Sequence, residues 1–377
     1  MPQAKAITGV NICLNLRQVS FALVFLLSPV AASHAVTNAE GDGDADYPAE
    51  PYNTGWALVL DNDAVFSSFG DEDYTGGFSI ALEGRRAKEY RLSLDPALTW
   101  VSEKLHLGGR RHPSTIEHLM QFGLTIYTPD LGSASDTIID DRPFANLLYL
   151  ENSQLSVDAI RNRAYQTTLT LGVLGSDAGE IVQDAIHDIG GNTKAPHSGK
   201  QISDGGELTA RYAVSMQSLL HSRITGRDKR LELKYRVEGD IGFITEGSAA
   251  LAARWGQVES PWWSFAPSRS NYVPQLVSNP RNRRGISDKR DFFLWCAVTI
   301  RARAYNAFLQ GQFRDSEKTY SGGELNHILG ELSIGVNKGF GSAIDASLSL
   351  HYQTDEIRNN DRSRDIQWGG LTIRKSF

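Results

Sequence analysis

Cysteine is nearly missing from this chain: two occur in 377 residues, Cys13 and Cys296. Cys13 lies in an N-terminal segment that reads as a removable leader, so the mature chain keeps one thiol. An internal disulfide and zinc sites of the CxxC type are thereby excluded by count. Cys296, between Trp295 and Ala297, reads as an apolar wall residue. A strong excess of either charge is also lacking. Lys and Arg number 38 against 44 Asp and Glu, and the resulting net charge of -6 leaves no electrostatic footprint for nucleic acid. Long apolar runs are lacking too. No stretch after residue 35 approaches the ~18 consecutive apolar residues of a membrane helix, which excludes helical spans.

What is present begins with that leader. Lys5 and Arg17 precede an apolar run over 19–32, and Ser33, His34 and Ala35 place small residues at the minus-three and minus-one positions of a signal peptidase site. The run is too short to anchor the chain in a bilayer. The expectation is export through a signal peptide at 1–35, cleaved after Ala35. An uncleaved N-terminal helix is the alternative. Residues 36–54 follow as a flexible lead-in whose first part, VTNAEGDGDADYPAE, is acidic and short of large apolar side chains.

From residue 55 to 377 the chain becomes a series of β-like runs of about ten residues separated by turn residues. They cover 56–66, 77–84, 90–101, 118–127, 146–157, 164–173, 207–219, 230–244, 249–258, 292–313, 327–336, 343–352 and 366–377, and 292–313 is long enough for more than one strand. The 41% hydrophobic and 22% charged fractions look ordinary and soluble. A transmembrane barrel has the same averages, because alternate residues face a polar lumen. The last run, IQWGGLTIRKSF, ends on Phe377 with Leu371 and Ile373 in phase, which resembles the recognition signal of bacterial outer-membrane barrels. We therefore expect an all-β fold, an antiparallel transmembrane β-barrel, with a soluble exported β-sandwich as the competing architecture. Trp56, Trp100, Tyr127, Tyr149, Trp255, Trp262, Trp263, Tyr352 and Trp368 are candidates for aromatic girdles. The charged segment 268–291 suits an extracellular loop, and its basic part 281–290 either meets lipopolysaccharide phosphates or is simply solvated.

One stretch breaks the β pattern. Over 178–189 the apolar residues Ala178, Ile181, Val182, Ala185, Ile186 and Ile189 fall on one face of a helix. Asp177 with Glu180 is placed to cap its start, and Gly190 with Gly191 stops it. Gln183 and His187 are one turn apart on a common edge. His187 is a candidate proton acceptor; the plainer reading is a surface histidine near a helix C-terminus. Two acidic clusters, Asp61-Asn62-Asp63 and Asp71-Glu72-Asp73 leading into Tyr74-Thr75-Gly76-Gly77, offer the oxygen donors that a hard cation such as calcium takes, without EF-hand spacing. A solvated acidic turn is the alternative. His112, His118, His197, His221, His327 and His351 have no partner visible in sequence, and Asp141-Arg142 reads as a structural ion pair.

The ordered set DNDAVF, DYTGG, FGLTIYTPD, DDRPFANLLY, GVLGSDAGEIVQDAIHDIGG and RAYNAFLQGQF resembles the lipid A 3'-O-deacylases of Gram-negative outer membranes, over nearly the whole mature chain. The resemblance implies a monomeric barrel of about twelve strands with a short helix near an active site at the outer-leaflet boundary. It implies hydrolysis of the ester bearing the 3'-acyloxyacyl group of lipid A, with calcium as the associated metal. Residue by residue, it makes His187 the general base, Asn62 and Asp63 the calcium and oxyanion site, Thr75 the threonine of the DYTGG motif, and Gln183 the glutamine one turn before the histidine. The pattern also departs from better-known members. Thr193 stands where they carry a glutamate, 127–141 holds no lysine, HSGKQ keeps Gln201 without the preceding tryptophan, and Asn146 stands where a small residue is common. Asp188 or Glu180 could compensate for Thr193. These departures leave room for a barrel of the same family that binds lipopolysaccharide or serves a structural role without hydrolysis, and a small porin or adhesin is a third reading.

Export with cleavage after Ala35 has a direct test: N-terminal sequencing of the protein recovered from membranes should begin at Val36, and a start at Met1 would refute it.

Overall fold

The alternation that marks the β-like runs is the alternation of lipid-facing and lumen-facing side chains. In the strand Phe292–Asn306, Phe292, Leu294, Cys296, Val298 and Ile300 are exposed, while Phe293, Trp295, Ala297, Thr299 and Arg301 are buried. A period of two with one apolar face turned outward is what a barrel wall in lipid requires. The computed structural model describes residues 50–63, 73–105, 115–129, 142–176, 201–265, 276, 290–341, 343–358 and 365–377.

Twelve strands form the wall: β1 Gly55–Asn62, β2 Asp73–Glu83, β3 Thr115–Thr128, β4 Ala145–Asp158, β5 Arg163–Leu174, β6 Glu207–Ile224, β7 Arg230–Gly242, β8 Ile244–Gln257, β9 Phe292–Asn306, β10 Ile328–Phe340, β11 Ile344–Gln353 and β12 Ile366–Ser376. Every neighbouring pair is antiparallel, and β1 closes the barrel on β12 with Gly55 opposite Ser376 and Asn62 opposite Gly369. Among the described residues three short α-helices join them: α1 Arg85–Glu89, α2 Asp95–Lys104 and α3 Ala307–Gln310. Both ends of the strand sequence, Gly55 and Ser376, lie at one end of the barrel. Three of the five connections there are tight turns, between β5 and β4, β7 and β6, and β11 and β10, the pattern of a periplasmic end. The opposite end, where β1 finishes at Asn62 and β2 begins at Asp73, is the extracellular one.

The described side chains fill the lumen. At the extracellular end an aromatic chain crosses it, with Trp368 on Tyr74 (5.9 Å between ring centroids), Tyr74 on Tyr127 (5.1 Å), Tyr127 on Phe308 (5.5 Å) and Phe308 on Phe243 (6.2 Å). Phe308 is delivered by α3, whose start is capped by the Asn306 side chain accepting from the Phe308 N–H at 3.0 Å, and whose end is turned by Gly311 at φ 69°. Mid-barrel, Arg301 bridges Glu246 (2.8 Å) and Glu331 (2.7 Å), and Arg303 also bonds Glu246 (2.7 Å). At the periplasmic end Trp262 and Trp263 pack on Leu155, Val157 and Ala164, held by the Lys234 ammonium, which donates to Gln217 (2.8 Å) and the Trp262 carbonyl (3.0 Å).

Four expectations change. The run 90–101 is no strand: Pro96 sits in the first turn of α2, and Leu98 and Ser102 are one turn apart on its buried face, a helical period that the local alternation of Tyr90, Leu92 and Leu94 conceals. The run 292–313 is one strand to Asn306 and then α3. Of the girdle candidates, Tyr127, Tyr149, Trp262, Trp263 and Trp368 face inward and fill the lumen, because each occupies the lumen-facing register of its segment or packs there. The segment 268–291 is not extracellular: it connects β8 to β9 at the periplasmic end, and Leu276 enters the barrel to pack on Ala57, Val59, Ala81 and Leu119.

Phe308 is completely buried in the aromatic chain, between Tyr127 and Phe243. Phe308→Ala should therefore cost about 3–5 kcal/mol, read as a lower midpoint of denaturant unfolding in detergent micelles, and an unchanged midpoint would contradict the packing.

Candidate active site

The site is built on the outer surface of the wall at the extracellular end. In β1, Leu58 and Leu60 face lipid, so Asn62 two residues on has the same outward register. In β2 the ladder with β3 shifts between Asp73 and Gly76, a bulge that resets the alternation. Tyr74 thus points inward to Tyr127 and Trp368, and Thr75 points outward. The Thr75 hydroxyl meets the Thr128 hydroxyl at 2.5 Å, and the Asn62 Nδ2 donates to the Thr75 carbonyl at 2.7 Å. Gly76, at φ 148°, lets the two strands approach: a Cβ there would lie 2.6 Å from the Asp61 carbonyl oxygen. The DYTGG motif therefore has a local meaning, with tyrosine in, threonine out, and glycine where the neighbouring backbone is too close for any side chain.

Asp63 is the first residue beyond β1 and is buried, as is Asp61. The acidic triplet thus ends the first strand, whereas the sequence placed it in the middle. Asn62, Asp63 and Thr75 carry amide, carboxylate and hydroxyl oxygens, the donor chemistry a hard cation takes. Among the described residues no group of three or more His, Cys, Asp or Glu side chains converges into a metal site.

A second outward-facing polar residue lies two strands away. Asn146 of β4 precedes the lipid-facing Leu148 and Leu150 in register and is buried. Its Oδ1 accepts from the Ser176 N–H (3.2 Å) and hydroxyl (3.1 Å), and its Nδ2 donates to Gln201 Oε1 at 2.7 Å. The backbone adds to this clamp: Gly175 N–H donates to the Asn146 carbonyl at 2.9 Å, and Phe144 bridges Gln201 in parallel. Gly175, at φ 68°, allows the crossing, since a Cβ would lie 2.1 Å from the Ile202 carbonyl oxygen. Asn146 and Gly76 both stand opposite Ile126 on the intervening β3, which puts them about 10 Å apart at ~4.8 Å per strand.

Ser176 and Gln201 are the two ends of the segment 177–200, which carries Gln183, His187 and Thr193. All three lie outside the described residues, as do Glu180, Asp188 and most of the loop 127–141. The structure thus brings together Asn62, Thr75 and Thr128, places buried Asp63 next in the chain just beyond β1, and anchors both ends of the His187-bearing segment about 10 Å away. Sequence reasoning missed Thr128 and the clamping role of Asn146. The signal for Asn146 was available: a polar residue in the same register as Leu148 and Leu150, on the lipid-facing side of a strand, needs a partner.

The remaining expectations resolve as structural contacts. Arg142 lies over the Tyr127 ring at 4.1 Å and 3.5 Å from Glu356; Asp141 is outside the described residues. His351 takes Ser333 at 2.7 Å and stacks on Trp368 at 4.8 Å, His327 meets the Arg303 carbonyl at 2.8 Å, and His118 pairs with Glu50 at 2.6 Å. His221 is exposed, and His112 and His197 are outside the described residues.

Fold and site together define an outer-membrane β-barrel with a filled lumen and a polar cluster on its lipid-facing wall. A family model described as outer membrane protein LpxR matches residues 19–377, and the chain belongs to that family. Among solved structures, LpxR from Salmonella typhimurium matches with a TM-score of 0.65 at 18% identity, covering 86% of this chain and 100% of that one. The β domain of the Bordetella autotransporter BrkA matches with a TM-score of 0.39 at 12% identity, covering 87% of this chain and 100% of that one. An outer membrane channel from Pseudomonas putida F1 matches with a TM-score of 0.38 at 12% identity, covering 89% and 100%. No curated protein sequence matches the chain.

Asn146→Ala removes all three side-chain bonds of the clamp and leaves their buried partners short, at a cost of about 1–3 kcal/mol. Limited proteolysis at Lys194 or Lys200 should accelerate about 5- to 150-fold through local opening, and equal nicking of wild type and variant would contradict the clamp.

Proposed function

We propose that this chain is an outer-membrane lipid A 3'-O-deacylase, exported by its leader and acting as a monomer on the ester of the 3'-acyloxyacyl group. The observation that carries the reading is the outward-facing Asn62, Thr75 and Thr128 cluster, with the two ends of the Gln183 and His187 segment clamped by Asn146 about 10 Å away. A site on the outer wall suits a substrate that never leaves the membrane. Acyl chains remain in lipid while the ester reaches the polar cluster.

In this reading neutral His187 takes a proton from water, and the water oxygen attacks the ester carbonyl carbon. The C–O bond then breaks, and the departing 3'-oxygen takes the proton back from the imidazolium. Gln183 orients the water or the substrate, and Thr75, positioned by the bulge, donates its hydroxyl along the same face. Asn62 and Asp63 would hold calcium through their oxygens, and the bound ion would supply positive charge for the carbonyl oxygen as it becomes negative. The amide, carboxylate and hydroxyl oxygens of the donor set support that metal. Thr193 and the absence of lysine from 127–141 favour a second reading, a barrel of the same family that binds lipopolysaccharide without hydrolysis.

The two readings separate in one experiment. The refolded protein is incubated with lipid A and calcium in detergent, beside His187→Ala and a chelator control, and products are read by mass spectrometry. The esterase predicts loss of the 3'-acyloxyacyl mass, with the rate falling about 10²- to 10⁴-fold in His187→Ala and to background with chelator. An unchanged lipid A mass with a folded barrel supports the binding protein, and Thr193→Glu becomes the next variant.

A further inference from the structure

The lipid-facing register of the wall is apolar and open on one side of the barrel, while on the other it includes a covered stretch that carries polar residues. Along β8 to β11, Leu251, Leu294, Val298, Ile300, Leu332, Ile334, Leu348 and Leu350 are 36–57% exposed. In the same outward register of β3 to β5 stand His118, Met120, Asn152, Thr167 and Leu169, all buried. Bare polar side chains on a lipid-facing wall are destabilising, so something must shield these.

The cover is the connection between β2 and β3. Instead of turning tightly, the chain leaves β2 at the periplasmic end and lays α1 against β3 and α2 against β4 and β5, on the outside of the barrel. Asn152 donates to the Ala87 carbonyl (3.1 Å) and the Ser93 hydroxyl (3.0 Å) and accepts from the Leu94 N–H (2.9 Å). His118 lies between Glu50 (2.6 Å) and Asp95 (3.7 Å), and Ser102 meets the outward Tyr212 of β6 at 3.0 Å. The ten residues of α2 span about 15 Å, which matches the three strand spacings, about 14 Å, from β3 to β6.

The outer side of this cover therefore continues the membrane surface of the wall. It shows Tyr90, Leu92, Trp100 and Leu105, each 51–63% exposed. Beside them stand exposed Arg85, Lys88, Arg91 and Lys104 against exposed Glu89 and Glu103, and Glu89 is already paired with Arg85 at 3.0 Å. Aromatic and leucine side chains interleaved with an excess of cations are the composition of an element seated at a lipid headgroup boundary. We propose that α1 and α2 form an interfacial saddle that binds anionic phospholipid of the periplasmic leaflet, with Trp100, Leu92 and Leu105 among the acyl chains and Lys88, Arg91 and Lys104 on phosphate. The saddle is independent of any hydrolytic activity of the extracellular site.

The full-length protein is folded into nanodiscs of phosphatidylcholine with phosphatidylglycerol. Trp100 is isolated as the difference in fluorescence between wild type and Trp100→Phe. That difference signal should be quenched by brominated lipid and shielded from aqueous iodide; quenching by iodide alone overturns the proposal. Native mass spectrometry of detergent-released protein should find phosphatidylglycerol retained by wild type and at least fivefold less by a Lys88→Ser, Arg91→Ser, Lys104→Ser variant. Equal retention by a variant with unaltered circular dichroism overturns the headgroup assignment.

Discussion

Every other feature depends on the closure of β1 on β12. In hydrocarbon no water is available to an unpaired N–H or C=O, so a sheet can span a membrane only if its first strand pairs with its last. Gly55 opposite Ser376 and Asn62 opposite Gly369 complete the ring. Once the ring is closed, each residue's side is settled by its position along the strand, because neighbours alternate. Apolar residues in one register meet lipid, and residues of the other register must satisfy one another inside. The buried Arg301, Arg303, Glu246 and Glu331 set does so with charge, and the chain from Trp368 to Phe243 does so with aromatic area.

The exceptions to this alternation build the candidate site. The bulge at the start of β2 rotates Thr75 to the lipid side while Tyr74 stays in the core, so one irregularity both builds the aromatic chain and presents the hydroxyl. Elsewhere polar residues occupy the lipid-facing register itself. Asn146 near the extracellular end and Asn152 lower on the same strand are both roofed by excursions of the chain. The same physical problem, a polar side chain that lipid cannot solvate, is met at both levels by covering it with backbone and hydroxyl partners. At the upper level the cover begins and ends the His187 segment, and at the lower level it is the saddle of α1 and α2.

The sequence could be read far into this architecture but not through it. The strand periodicity located nearly the whole wall, and the ordered motifs identified the family. The run 90–101 was misread because Tyr90, Leu92 and Leu94 alternate over too few residues to distinguish a strand from the approach to a helix begun at Asp95 and Pro96. Tyr127, Tyr149 and Trp368 were read as girdle residues because an aromatic near a strand end looks the same whether it points to lipid or to the lumen. Asn146 stood out as a departure from the family pattern and as a polar residue in register with Leu148 and Leu150, but its partners, Ser176 and Gln201, are 30 and 55 residues away and were not legible.

What the sequence by itself determined was the period-two pattern, the scarcity of cysteine, the lack of a long apolar run after residue 35, and the set of oxygen, amide and imidazole groups available for chemistry. These are local or compositional properties, and they survive without knowledge of partners. The tertiary structure alone decided which side of the wall each group faces, that Thr75 meets Thr128, and that Asn146 clamps both ends of one loop. It decided as well that β8 and β9 are joined at the periplasmic end. Each of these depends on register between strands distant in sequence, on one bulge that reverses it, and on the closure of the ring.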